Sequence, residues 1–289
     1  MLLAFLVAWF AWQGWAQLEP VRDGAPSWSA DGSRIVYYSE RGGQADLYVM
    51  DADGSNRRPL VESPADEGGP ALSPDGRYLA YDTNVDGNFE IYVRNLSTET
   101  DRRITRHAGR DVAPAWHPDS DRLVFMSDRE APEFHVYEVR LDGSGLRRLT
   151  EEPSSWFPQY SPDGLRLAFH KGRDVHVMTL ADGTVRRLTT EPFDGMHPSW
   201  SPDGSELVFM SSRNNRMELF RVSALGGEPE RVVSMQTGGA IDPRWSPGGR
   251  QVVFVHVSET SPLEAQSDEA SRVLYSVDVE TGQLRRLSG

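Results

Sequence analysis

Acidic side chains recur at one point of a repeated pattern in this chain. The pattern opens on a proline and reads Pro-x-Trp-Ser-Pro-Asp-Gly with variations in six copies, and five copies carry an acid within four residues before that leading proline. These acids are Asp23, Asp66, Glu67, Asp111, Asp194 and Asp242. Carboxylates gathered around one opening repel one another and attract a metal cation or a basic side chain. The spacing therefore predicts an acidic binding site for a cationic partner.

Arginines near these acids support a second interpretation. Arg110 stands beside Asp111. Loops that are predicted on the same face carry Arg41, Arg129, Arg173, Arg213 and Arg216. These arginines could neutralise the acids in ion pairs, or they could pair within their own hairpins. Exposed pairs of this kind are common and individually contribute little. Binding of a partner and neutralisation by arginine are both open on the sequence alone.

The fourth copy carries two aromatic residues, Trp156 and Phe157, where the other copies carry acids. Four other tryptophans stand two residues after a leading proline and are predicted to lie in the core: Trp28, Trp116, Trp200 and Trp245. Two adjacent aromatics cannot both face the interior from one strand, so at least one should face solvent or a central opening. Aromatic anchors at a rim serve protein or sugar recognition. The alternative, in which Trp156 packs down as a plug, is open.

Residues for catalysis or metal binding form no recognisable motif. The sequence contains no G-x-S-x-G, HExxH, phosphate-binding or dinucleotide-binding pattern. His170, His197 and His256 are a candidate lyase-like metal site, because they could lie on one face, but their spacing shows no convergence. We therefore predict no catalytic residue and no cofactor, with a cation in the channel as an alternative, and count His197 among the partner-binding residues.

The elements that must position these residues are short strands. The leading prolines are Pro26, Pro70, Pro114, Pro158, Pro198 and Pro243, which lie 40 to 45 residues apart. Each copy contains four short runs rich in β-branched and aromatic residues, and no helical period occurs. Four-stranded units of this length are propeller blades. The sequence predicts an all-β, six-bladed β-propeller of four-stranded antiparallel blades with no additional domain, its blades near 22–62, 66–106, 110–150, 154–190, 194–234 and 239–288.

The first residues and the composition indicate export. An apolar run over residues 1–12 is followed by the small-x-small pattern Gly14-x-Ala16, which predicts a signal peptide over residues 1–16, cleaved after Ala16, and a mature propeller over 17–289. The apolar run is shorter than the roughly 20 residues of a spanning helix, so no transmembrane anchor is expected after cleavage. The chain has no cysteine and a formal net charge of −13, which argues against nucleic acid as a partner. We expect a periplasmic or secreted monomer.

The repeat resembles that of a known family. Its Pro-x-Trp-Ser-Pro-Asp-Gly motif, followed by an apolar strand, a Ser-x-Arg step, an apolar-Tyr-Val strand and Arg-Leu-Thr, is similar to the TolB-type, WD40-like (PD40) propeller repeat over residues 20–288. The resemblance implies a propeller in the cell envelope with a protein partner docked on one mouth. The same repeat occurs in propellers of prolyl-oligopeptidase-like peptidases and of polysaccharide lyases.

These observations predict a non-enzymatic, TolB-like scaffold that binds a protein or peptide, envelope-associated, through an acidic channel mouth. The predicted partner-binding residues are Asp23, Asp66, Glu67, Arg110, Asp111, Trp156, Phe157, Asp194, His197 and Asp242. The alternative is a polysaccharide-lyase-like or hydrolase-associated propeller with a metal or a sugar in its channel.

Overall fold

Six four-stranded antiparallel sheets form this protein, and each sheet is built from four strands that are consecutive in sequence. The computed structural model describes residues 21–130, 133–152, 154–192, 194–212, 216–258 and 271–289. The predicted six-bladed propeller is therefore confirmed. The predicted signal peptide over residues 1–16 lies outside the described residues. Within the described part of the chain, no helix is long and apolar enough to cross a membrane.

The strands are numbered in chain order, four to a blade, from the innermost strand outward. Blades one to three contain β1 (Asp23–Trp28), β2 (Arg34–Ser39), β3 (Asp46–Asp51), β4 (Arg58–Val61), β5 (Glu67–Leu72), β6 (Tyr78–Thr83), β7 (Glu90–Asn95), β8 (Thr100–Arg103), β9 (Asp111–Trp116), β10 (Arg122–Ser127), β11 (His135–Arg140) and β12 (Arg147–Arg148). Blades four to six contain β13 (Ser155–Tyr160), β14 (Arg166–Lys171), β15 (Asp174–Thr179), β16 (Val185–Arg187), β17 (Met196–Trp200), β18 (Glu206–Ser211), β19 (Glu218–Ser223), β20 (Glu230–Val233), β21 (Gly239–Trp245), β22 (Gln251–Val257), β23 (Arg272–Asp278) and β24 (Leu284–Arg286).

A β-bulge interrupts every innermost strand just before its leading proline. In blade one the register with β2 shifts between Gly24 and Ser27, and the other five blades shift at the matching place. The residue before each proline has a left-handed φ of 46° to 54°. These bulge residues are Ala25, Gly69, Ala113, Phe157, His197 and Asp242. The extra residue breaks the simple alternation of faces along the strand. The inner strands therefore begin before the prolines, as at Asp23 for Pro26.

The core lies between neighbouring blades. Its largest fully buried side chains include Tyr37, Phe125, Phe209 and Phe254 of the second strands. The repeated tryptophans are buried as predicted, and most of them also join blades through the indole N–H. The Trp116 Nε1–H, for example, donates to the Ala71 carbonyl oxygen of the preceding blade at 2.9 Å. A buried indole N–H needs such an acceptor, so the tryptophan fixes the spacing between two blades.

Backbone hydrogen bonds run from blade to blade and close the ring. The Glu67 N–H donates to the Ala45 carbonyl oxygen at 2.8 Å, and the Asp111 N–H donates to the Phe89 carbonyl oxygen at 2.9 Å. Blade six meets blade one through a parallel bridge between Arg22 and Arg272. Because β21 to β24 form one sheet of their own, the ring closes by contact between the first and last blades.

Candidate functional site

Two cavities meet inside the ring at the bulge residues. The upper chamber, 550 Å³, lies on the side of the β2–β3 loop, and its lining includes Glu40, Asp66, Glu67, Asp82 and Asp242. The lower chamber, 430 Å³, lies on the side of the Ser-Pro-Asp-Gly turns. Its lining includes one large residue from each blade, namely Trp28, Leu72, Trp116, Tyr160, Trp200 and Trp245. The channel therefore has one acidic end and one apolar end.

The six bulge residues form an asymmetric, or lopsided, ring, with small side chains on one side and large ones on the other. Blades one to three place Ala25, Gly69 and Ala113 there, whereas blades four to six place Phe157, His197 and Asp242. The three small residues and Phe157 line both chambers. Phe157 faces the channel, as one member of the aromatic pair was predicted to do.

Two of the predicted acids are neutralised inside the fold. Asp23 and Asp111 are fully buried at the start of β1 and β9. The Arg41 Nη2 lies 3.1 Å from an Asp23 carboxylate oxygen, and the Arg129 Nη2 lies 2.7 Å from an Asp111 oxygen. Neither acid lines the upper chamber. For this pair the structure supports neutralisation by arginine, the second of the two sequence interpretations.

The expectation that all the predicted acids share one circle around the axis does not hold. Asp66 and Asp194 stand four residues before their prolines and Asp242 stands one residue before, whereas the other three acids stand three residues before, so the six acids occupy three registers. Asp194 accepts hydrogen bonds from the Arg173 guanidinium and from the Ser212 hydroxyl. The physical reason is the bulge, because it gives each of these registers a different direction relative to the axis.

Glu67 is the member of the buried set that pairs with no arginine among the residues that the structure describes. It occupies the same place in β5 that Asp23 and Asp111 occupy in their strands, and it is 2% exposed. One carboxylate oxygen contacts the Ser63 and Thr83 hydroxyls, and the other, Oε2, is buried without a hydrogen-bond partner. Burial raises the pKa of Glu67 to about 7. The nearby charges of Asp46 and Asp66 act in the same direction.

Asp82, which the sequence reasoning missed, is a second buried acid of the upper chamber. It lies in β6, where the matching residues of the other blades are Tyr38, Met126, His170, Met210 and Val255. Burial raises the pKa of Asp82 to about 6. A Cβ atom on Gly69 would lie 2.4 Å from an Asp82 carboxylate oxygen, so a larger residue at this bulge position would displace the Asp82 side chain. The signal in the sequence was a lone acid in a column of larger, mostly apolar residues.

The remaining chamber acids differ in their partners. Asp66 accepts a hydrogen bond from the Asn84 side-chain amide at 3.1 Å and has no cationic partner among the described contacts. Glu40 pairs with Arg22 at 2.9 Å. No lysine or arginine belongs to the described lining of the upper chamber. Asp66, Glu67 and Asp82, here called the blade-two acids, therefore concentrate negative charge on one side of the chamber.

Aromatic and imidazole rings form the opposite wall. The Phe157 ring packs against two histidines, with ring centroids 5.7 Å from His170 and 3.9 Å from His197. The His197 Nδ1 contacts a carboxylate oxygen of Asp242. Burial alone would raise the pKa of Asp242, but the opposing charge and hydrogen bond of His197, with nearby arginines, lower it to about 2. Asp242 is therefore a paired carboxylate.

Trp156 and Arg110 lie near the edge of this wall. The Trp156 ring is half-buried and packs 4.7 Å from the Phe134 ring, centroid to centroid. Arg110 is exposed, and its guanidinium lies 5.0 Å from the centre of the same Phe134 ring. The Arg110 Nε also lies 2.8 Å from an Asp128 oxygen. Trp156 is therefore partly packed against the blades and partly accessible.

The three histidines proposed as metal ligands do not converge. His170 and His197 stack with centroids 5.6 Å apart, whereas the His256 Nε2 lies 2.9 Å from the Thr237 carbonyl oxygen. Burial holds the pKa of His170 well below its usual value, so this imidazole is neutral at neutral pH. A separate group, His117 with Asp119 and Asp121, brings ligand atoms within 4.8 Å of one another. The His117 Nδ1 already accepts the Asp119 N–H.

Fold and channel together define a six-bladed β-propeller whose channel has one acidic and one apolar end. The model of the family described as "TolB beta propeller domain" (PD40) matches residues 25–173 and 153–288, which together cover most of the chain. The protein therefore belongs to the TolB β-propeller family.

Solved structures agree with this assignment. TolB from Acinetobacter baumannii is 27% identical, with 78% of this chain and 57% of that chain covered and a TM-score of 0.70. The putative TolB from Agrobacterium tumefaciens is 23% identical, with 80% and 84% covered and a TM-score of 0.71. An oligogalacturonate lyase in complex with manganese is 19% identical, with 91% and 75% covered and a TM-score of 0.64. The latter two similarities show the fold alone, and the protein spans 57% of the Acinetobacter TolB.

Proposed function

We propose that this protein is a binding module of the cell envelope that receives a basic segment of a protein or peptide in its upper chamber. The main observation that supports this proposal is that the blade-two acids line the chamber, whose described lining contains no lysine or arginine. Buried or half-buried carboxylates without cations favour a partner that supplies positive charge. The net charge of −13 adds long-range attraction for such a partner.

The wall opposite the acids would supply apolar contact. Phe157 and the half-buried Trp156 offer rigid aromatic surface within reach of the chamber. Aromatic anchors next to charged groups are the usual composition of energetic hot spots in protein interfaces. The function is therefore binding rather than catalysis, with charge selecting the partner and the aromatic wall holding it.

Export to the periplasm is part of the proposal. It is supported by the predicted signal peptide over residues 1–16 and by the similarity to TolB proteins. A scaffold of this kind needs no cofactor.

A pull-down from envelope extract tests this function. Immobilised wild-type protein is compared with Trp156→Ala and with the double variant Asp66→Asn/Glu67→Gln. The matched control is Glu280→Gln, which removes a carboxylate from the exposed turn between β23 and β24. We expect wild type and control to retain the same partner, and both site variants to lose most of it.

Ionic strength separates specific retention from general attraction. Loss in the acid variant should be larger at low salt, because exposed charges are screened beyond about 10 Å at 0.1 M ionic strength. Equal capture by all four proteins would contradict the proposed function.

A further inference from the structure

Three blades start the innermost strand with a buried acid, and two of them supply an arginine from the following loop. Arg41 and Arg129 each lie eighteen residues after the acid that they neutralise. In blade two the acid is Glu67, and the residue at the arginine's place is Val85. Val85 is 48% exposed, so its side chain does not fill the space beside the carboxylate as a core residue would.

The backbone at Val85 has the same local geometry as the backbone at Arg129. The Val85 N–H donates to the Thr83 hydroxyl at 3.3 Å, and the Arg129 N–H donates to the Ser127 hydroxyl at 3.2 Å. Since Ser127 also accepts from the Arg129 Nε at 2.9 Å, Thr83 provides the matching acceptor in blade two. Blade two therefore repeats the hydroxyl acceptor of the arginine site, with a glutamate in place of the aspartate and without the guanidinium.

An aromatic ring completes the comparison. The Arg41 guanidinium lies 4.8 Å from the centre of the Tyr48 ring, and that of Arg129 lies 4.6 Å from the Tyr137 ring. The register places Tyr92 at the same point of blade two, opposite Tyr81. A guanidinium is planar, stacks on such a ring and directs several N–H donors at a carboxylate in a fixed geometry. An ammonium or a metal ion does not have this shape.

We propose that Glu67, Thr83 and Tyr92 form a receptor for the guanidinium of an arginine that a partner protein or peptide inserts beside Val85, where Glu67 is the member that also lines the upper chamber. The partner's arginine takes the place that Arg41 and Arg129 hold in their own blades. The inference rests on the proposed function, because it names the group that the acidic chamber recognises. Glu67 Oε2, buried without a partner, is the acceptor that such a group would satisfy.

Proton exchange supports this assignment. Burial and the charges of Asp46 and Asp66 raise the pKa of Glu67 to about 7, and the Ser63 and Thr83 hydroxyls oppose that rise. A guanidinium beside Glu67 would favour the carboxylate, so binding should release a proton near neutral pH.

Titration of the purified protein with N-acetyl-L-arginine amide tests the site without any knowledge of the natural partner. Backbone amide NMR shifts of Gly68 and Val85 report occupancy at pH 7.5 and low salt. The corresponding citrulline and lysine amides and calcium chloride serve as comparison probes. We expect saturable shifts with the arginine probe. The lysine amide should bind at least about tenfold more weakly, and the citrulline amide should show no saturation.

Two variants make the test decisive. Glu67→Gln should weaken binding of the arginine probe by about tenfold or more, because it removes the charge-assisted acceptor. Val85→Arg should abolish binding while raising the melting temperature at pH 8, since the chain then supplies its own guanidinium. Leu165→Arg, which adds the same charge at an exposed turn residue, is the control and should bind the probe as wild type does.

Several results would overturn the proposal. Calcium or lysine binding more tightly than arginine would assign the site to another cation. Undiminished arginine binding by Val85→Arg, with its fold intact by circular dichroism, would place the probe elsewhere. A protein that binds the probe as expected but captures no envelope partner would keep this inference and refute the proposed function.

Discussion

The carboxylate of Asp82 accepts a hydrogen bond from the backbone N–H of Ala113 at 2.9 Å, which ties the second strand of blade two to the innermost strand of blade three. The contact holds the bulge of β9 from outside its own blade. It also keeps an acid in the channel wall at a place where burial disfavours its charge. A structural contact and the chemistry of the chamber therefore depend on the same side chain.

Replacement of Asp82 should separate these two roles. Asp82→Ala removes the acceptor and should lower the free energy of unfolding by about 1–3 kcal/mol, because the Ala113 N–H is left unpaired. Asp82→Asn keeps an acceptor without a charge. Since burial raises the pKa of the wild-type acid to about 6, the wild type loses stability as pH rises from about 4 to 6. The free energy of unfolding of Asp82→Asn, relative to that of the wild type, should therefore be higher at pH 8 than at pH 5, as measured by urea unfolding. The reverse order would contradict this account.

Glu67, like Asp82, should make the stability of the protein fall as pH rises, but over a range that extends to higher pH. The folded protein binds this proton more tightly than the unfolded chain, because burial raises the pKa of Glu67 to about 7. Stability should fall between about pH 4.5 and 7 and level off above. Glu67→Gln should flatten the curve of melting temperature against pH between about 4.5 and 7. Parallel curves for the two proteins would show that Glu67 does not titrate there.

Asp242 should act in the opposite direction. Its pKa is lowered to about 2, so its contribution is present above the ordinary value near 3.8 and disappears as pH falls towards 2. Asp242→Asn should destabilise the protein by about 1–3 kcal/mol at pH 7 and by much less at pH 2.5. A double-mutant cycle with His197→Gln isolates the pair, and additive effects of the two changes would rule out their coupling.

Removal of one buried arginine should be costly. Arg129→Met leaves Asp111 charged and fully buried, and loss of one partner of a buried pair typically costs about 3–5 kcal/mol. The control is Arg77→Met, since Arg77 is 70% exposed and pairs with Asp75 at the surface. That change should cost less than about 1 kcal/mol. Urea unfolding at pH 7 distinguishes the two, and similar small losses would mean that the Asp111 pair is not a structural contact.

The fold could be predicted from sequence because the proline recurs in all six copies and a large core residue follows it in each, a tryptophan in four of them. Trp116 bridges to Ala71 of the preceding blade, and Trp28 and Trp200 make the matching bond elsewhere in the ring. A residue that is required for blade packing must recur at the spacing of the blades. The number of blades was therefore readable from the spacing alone.

The site was harder to predict because its geometry depends on the bulge. Left-handed backbone at Phe157, His197 and Asp242 is unexpected for residues with side chains, so nothing in the sequence indicated the bulge. The pairing of Asp23 with Arg41 was one of two open interpretations, and only the antiparallel register of β1 and β2 brings the two together. Asp82 was overlooked because its strand otherwise has the pattern of a buried one.

The lopsided ring of bulge residues also limits how a bound chain can be oriented. A channel with six identical walls would hold an inserted segment in six equivalent poses, related by rotation about the axis. Here Ala25, Gly69 and Ala113 open one side, and Phe157, His197 and Asp242 close the other. Rotation of the segment by a single blade would bring it against an aromatic or imidazole ring, or would move its positive charge away from the blade-two acids. The repeat gives the propeller its sixfold pseudo-symmetry. The bulge residues break that symmetry, so an inserted segment would have one preferred rotation about the channel axis.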